Sequence, residues 1–169
     1  MRTAKAQLKS LFEELDARVD RLNVKRRGKG LRPFARAEVR LLGQMSLLVN
    51  ERVSAVLTLA QTADMDALLT MDQILKMELQ DLLKKQGLLY DEDSHLIWIP
   101  EHAEFEALFA FMNVTVTAID PESALVSKAV KAPVKNKQLI REAIASGHFP
   151  GLIDRIEGGG GDLELFARD

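Results

Sequence analysis

The chain contains no cysteine among its 169 residues. That removes disulfides, thiolate nucleophiles and zinc–thiolate sites together. An excess of charge is missing too: 23 Lys and Arg stand against 25 Asp and Glu, a formal charge of -2. No global pull towards nucleic acid or an anionic membrane follows, so any such binding has to be local. Long apolar runs are also lacking. None approaches the ~20 residues that span a bilayer, and the first residues have no signal-peptide core. The expectation is a cytoplasmic protein with no membrane partner. Neither a P-loop, a Ser/His/Asp set nor an internal repeat is visible, and His95, His102 and His148 are scattered without metal-ligand spacing. What remains is an ordinary globular composition, 47% hydrophobic and 28% charged, at a length that suits one domain with its own core.

Apolar residues Ala4, Leu8, Leu11, Leu15, Val19 and Leu22 recur at helical spacing, which predicts an amphipathic helix over 3–22. The basic stretch "KRRGKGLRPFAR" (25–36), with two glycines and a proline, reads as a loop. "EVRLLG" reads as a short strand turning sharply at Gly43, and a second helical period starts at Met45 and ends near Asn50 or beyond. In "TADMDALL" apolar and mostly polar residues alternate, the signature of a strand with two unlike faces. Thr70 and Gln73 form a T-x-x-Q capping box for a helix that stops at Gly87. "HLIWIP" and "NVTVTAI" read as further strands, with Trp98 of the first in the core. Asp120 and Pro121 open a helix that Pro133 closes, and Gly147 stops another. "FPGLIDRI" is at most a short last helix. Four glycines then begin a tail, 158–169, expected to be a flexible extension of a single domain 1–157. Its Leu163, Leu165 and Phe166 could dock on a partner. The order of elements predicts an α/β (α+β) fold, a small mixed sheet flanked by helices, with its core at about 38–145.

Asp64 and Asp66 carry the chemistry. Residues i and i+2 of a strand point the same way, so two carboxylates would converge on one point and repel unless something positive sits between them. Hard cations such as magnesium take oxygen ligands of this kind together with substrate phosphates. The competing reading is a solvated strand face, or ion pairs to nearby Lys and Arg.

Taken in order, Gly43 at a strand end, "TADMDA", "AIDPE" and Lys128 within the following helix resemble the nucleotidyltransferase superfamily, the fold of DNA polymerase beta. The similarity is closest to small bacterial members of abortive-infection or toxin–antitoxin type and spans about residues 38–145. The resemblance implies an enzyme that moves a nucleotidyl group from a magnesium- (or manganese-) bound NTP to an acceptor, RNA or protein. Asp64 and Asp66 would be the metal ligands, with a third carboxylate completing the catalytic set. Asp120 is the first choice for that third acid, with a plain helix N-cap as its other reading, and Glu101 is the alternative. Asp91 and Asp93 read instead as a hairpin turn. Gly43 and Gln44 would line the phosphates, and Lys128 would reach them unless it is a surface lysine.

The chain departs from the family pattern at three places. Gln44 replaces a second glycine, Leu59, Ala60 and Gln61 stand where an arginine often precedes the D-x-D, and Lys135-Asn136 replaces a lysine-aspartate. A rival reading therefore stays open: a binding module that keeps the fold without the reaction, acting with a protein partner from a paired gene. The cations Lys25, Arg26, Arg27, Lys29 and Arg32 read first as a solvated loop and second as a seat for an RNA backbone.

Overall fold

A computed structural model describes residues 3–167. The last two residues of the expected tail, 168 and 169, lie outside the described residues. Helix α1 spans Ala4–Gly28, opened by Thr3, whose hydroxyl accepts from the Ala6 N–H at 3.1 Å. It ends six residues beyond the end that the apolar spacing predicts. Lys25, Arg26 and Arg27 therefore belong to its last turn, where cations meet the negative end of the helix dipole. Gly30, at φ +75°, then turns the chain, and the Leu31 N–H closes back on the Arg26 carbonyl at 2.8 Å.

Strand β1 (Ala37–Leu41) is central. Helix α2 (Gly43–Leu48) follows it, and α3 (Glu51–Val56) is capped by the Asn50 side chain. The expected D-x-D strand is broken into β2 (Asp64–Met65) and β3 (Ala67–Thr70), because its halves pair with different partners. β3 runs antiparallel to β1, whereas β2 pairs in parallel with β4 (Leu89–Tyr90). Between them, α4 (Gln73–Lys85) is capped by Asp72, which accepts from the Ile74 N–H at 2.9 Å. Thr70 is thus not the cap.

The remaining strands are β5 (Phe105–Ala110) and β6 (Val114–Ile119). The four-stranded sheet is ordered β3-β1-β6-β5, with β1 and β6 parallel and the outer pairs antiparallel. The fold class is the mixed α/β expected. "HLIWIP" forms no strand: a short 3-10 turn at Ser94–Leu96 leads into irregular chain. Buried Ser94 donates its hydroxyl to the Asp91 carbonyl and accepts the Ala67 N–H, which holds this segment against β3 without a ladder. β5, unforeseen because Glu106, Ala107 and Ala110 are poor strand formers, exists through its pairing with β6.

Alternation along β1 and β6 sends Ala37, Val39, Leu41, Val114, Val116 and Ala118 to one face. There they pack on Leu8, Leu11, Phe12 and Leu15 of α1 and Leu75, Leu79 and Leu83 of α4. Arg18 bridges those helices, with Nη1 at 2.8 Å from both Glu78 and Asp81. A second core gathers around Leu42 and Ile119, at the ends of β1 and β6. It takes in α5 (Pro121–Lys131), α6 (Lys137–Ser146), α7 (Leu152–Gly158) and α8 (Glu164–Ala167).

The glycine-rich tail departs from the flexible extension expected of it. Gly161 N–H closes on the Ile156 carbonyl at 2.8 Å, and the chain folds back so that Phe166, 6% exposed, joins the second core. The glycines permit close approach: a Cβ on Gly159 would lie 3.0 Å from the Trp98 ring.

Candidate active site

β1 and β6 are parallel, and ligands of open α/β sheets sit beyond the carboxyl ends of such strands. A cleft of about 480 Å³ opens at that end. Leu42 and Gly43 line it from β1, Ile119 from β6, and Asp66 from the junction of β2 and β3. Opposite stand Lys128 and Lys131 of α5 and Lys135 of the following turn.

Gly43 is there for two reasons. Its φ of +58° is left-handed, which side chains disfavour, and a Cβ would collide with the Asp66 Oδ2. The Leu42 N–H also donates to the Asp66 carbonyl at 2.8 Å, so the end of β1 and the D-x-D segment are fastened together just beside the helix start.

Alternation across the D-x-D holds: Met65 and Ala67 are fully buried, while Asp64 is exposed and Asp66 half-buried on the other side. The partner of Asp66 is Asp91, which follows β4. Their carboxyls lie close enough to act on one another directly, a like-charge pair that a cation would relieve. Burial, then the Asp91 hydrogen bond and charge, then Asp64, push the Asp66 carboxyl up to about 6, against the pull of Lys128. The Lys128 ammonium is pushed down, first by burial and then by Lys135, with Asp66 opposing.

Asp91, and not Asp120, is the acid brought beside Asp66. It does lie in a turn, where its Oδ1 accepts from the Asp93 N–H at 2.9 Å. That turn is not a hairpin, since β4 pairs in parallel with β2. Asp120 caps α5: one oxygen accepts from the Ser123 N–H at 3.0 Å, the other from the Glu104 N–H at 2.9 Å. Arg155 stands 3.8 Å away. Asp120 lines a separate cavity with His148 and Phe149, and exposed Glu101 lies outside the cleft as well. Gln44 does not line the cleft either, because its side-chain amide donates to the Ala60 carbonyl at 2.8 Å. Asn136 does, while its own amide donates to the Ala132 carbonyl at 2.9 Å.

Of the residues singled out in the sequence, Gly43, Asp66 and Lys128 come together, with Asp64 close enough to repel Asp66. Asp120 and Gln44 do not join them. Asp91, Lys131, Lys135 and Trp98 are the additions. The lysines at 128, 131 and 135 follow a helical period, a signal the sequence carries. Trp98 also lines the cleft, with the Lys131 ammonium 5.3 Å from its ring centroid.

The donor set suits magnesium or manganese, since it consists of hard carboxylate oxygens, two of them forced together. Among the described residues, no three His, Asp or Glu side chains converge as a set that could hold a metal ion, so substrate phosphates would have to complete the shell. Compared with protein-family models, curated proteins and solved structures, the chain finds no match, and the reading of this site rests on its own geometry.

Proposed function

We propose that the cleft binds the phosphates of a nucleoside triphosphate and transfers its nucleotidyl group to an acceptor oxygen, which bonds to the α-phosphorus as the α–β anhydride bond breaks and pyrophosphate leaves. One observation carries the reading: the Asp66 carboxylate, with Asp64 and Asp91 beside it, and three lysines meet in one cleft at the carboxyl end of parallel strands, next to a glycine turn. Lys128, Lys131 and Lys135 neutralise the phosphate oxygens, and burial makes the charge on Lys128 act through less solvent. Gly43 keeps the space beside Asp66 clear of side chain. Asp66 and Asp91, with Asp64 beside them, would hold a divalent ion, which when bound neutralises charge on the transferring phosphate and activates the acceptor oxygen. Asp66 serves in this role only when deprotonated.

A second reading is a nucleotide- or partner-binding module of the same fold without transfer. The lack of a converged three-ligand set among the described residues favours it.

Trp98 is the sole tryptophan and lines the cleft, so its fluorescence reports occupancy directly. Millimolar manganese with ATP or GTP should change that emission and raise the melting temperature, since a ligand stabilises the state that binds it. Lys128→Ala should weaken both effects at least tenfold in nucleotide concentration. Binding without turnover of a labelled nucleotide would support the module. An emission and a melting point that ignore every combination of metal and nucleotide would remove the transferase reading and leave a partner-binding module.

A further inference from the structure

The end of β1 away from the cleft carries a second concentration of charge. Residues 25–36 hold Lys25, Arg26, Arg27, Lys29, Arg32 and Arg36 and not one acid. With these six of the 23 Lys and Arg set aside, the rest of the chain has 17 cations against 25 acids. The near-neutral total hides a molecule with one basic end.

That end is built, not loose. Asn23, 2% exposed, accepts the Phe34 N–H at 2.8 Å, fixing the returning chain to α1. The Arg26 guanidinium lies 4.2 Å over the Phe34 ring, and its Nε donates to the Arg32 carbonyl at 2.7 Å. Arg36 reaches across to donate to Thr115 Oγ1 and to the Phe111 and Met112 carbonyls. These two arginines are structural. The side chains of Lys25, Arg27, Lys29 and Arg32 are exposed and make no ion pair or hydrogen bond among the described residues.

We infer that these four cations bind the phosphate backbone of a nucleic-acid strand. Unpaired surface cations on a fixed backbone neutralise phosphates without first breaking contacts of their own. Arginines among them match phosphate geometry in bidentate fashion. With 17 cations against 25 acids, the remainder of the chain is acidic on balance and favours approach of a polyanion from this end. A lone nucleotide held in the cleft cannot serve both places, since the five residues of β1, at ~3.3 Å each, separate them by roughly 17 Å.

The test is fluorescence anisotropy of the full chain with labelled 20-nucleotide RNA, the same sequence as single-stranded DNA, and a polyglutamate peptide, from 50 to 300 mM salt. Affinity for the nucleic acids should fall with a log–log salt slope near -3, as expected for about four phosphates on a single strand. Arg27→Glu with Arg32→Glu should cost at least tenfold in affinity at 50 mM salt and flatten the slope, with the melting temperature unchanged. The same charge reversal at Lys9 and Lys84 should leave binding as it was. A difference between RNA and DNA would identify which polymer the site prefers. Absence of nucleic-acid binding at 50 mM salt would overturn the inference. So would a double variant that binds like the parent, or polyglutamate bound as tightly with the same slope, which would point to an acidic protein surface.

Discussion

At the scale of single residues, the Asp66 carboxyl concentrates the cost of building a site. It is held among Asp64, Asp91 and the turn at Gly43, half out of water, and so favours its protonated form. Its folded value of about 6 lies above its ordinary 3.8. The folded state therefore binds this proton more tightly than the unfolded chain does. The stabilisation from that proton is complete below about pH 4 and is lost as pH rises towards 6. Allowing for solvent access to a half-buried group, the loss is about 2 kcal/mol. Asp66→Asn removes the titration while keeping the shape. Without divalent ions, the variant should melt roughly 4–8 °C above the parent at pH 8 and close to it at pH 4. Calorimetry at the two pH values checks this, and equal melting points at pH 8 would mean that Asp66 is solvated like a surface acid.

At the scale of elements, legibility in the sequence follows where the stabilising partner lies. Helices closed by local chemistry are plain to read: Asp120-Pro121 opens α5, and the left-handed residues Gly87 and Gly147 stop α4 and α6. The D-x-D and the glycine turn are legible for the same reason, since their residues are neighbours in sequence. What is not legible depends on distant chain. The parallel pairing of β2 with β4 is what carries Asp91 to Asp66. Asp120, bearing the right side chain at the right strand end, is claimed by backbone N–H groups of its own vicinity.

The C-terminal segment misleads in the opposite sense. Its glycines suggest freedom, yet α7 and α8 cover the second core, and Phe166 is buried there. Phe166→Ala should cost about 2–3 kcal/mol, below the usual core value because α8 is short and terminal. Urea denaturation measures it. A loss under ~0.5 kcal/mol would show the segment undocked in solution.

At the scale of the whole molecule, one core lies between the sheet and helices α1 and α4, the other gathers beyond the carboxyl ends of β1 and β6, and the candidate cleft opens at those strand ends. Its upper wall, α5, belongs to the second core, while the D-x-D segment is anchored in the first through Met65 and Ala67. Loosening of either core would therefore register first as a change in the spacing between acids and lysines. No helix among the described residues is long and apolar enough to cross a membrane.

The sheet order also has a meaning for how the protein is made. β1 leaves the ribosome early, but Ala37 finds its partner opposite Val114 and Leu41 opposite Ala118. Until β6 is synthesised, β1 has one open edge and an apolar face covered by helices alone. A nascent chain halted before Val114 should stay unfolded, and purified residues 1–111 should show no cooperative melting by circular dichroism. Completion of the central strand thus waits until residues 114–118 have been made, and during that interval the apolar alternation of β1 is the stretch a chaperone would meet.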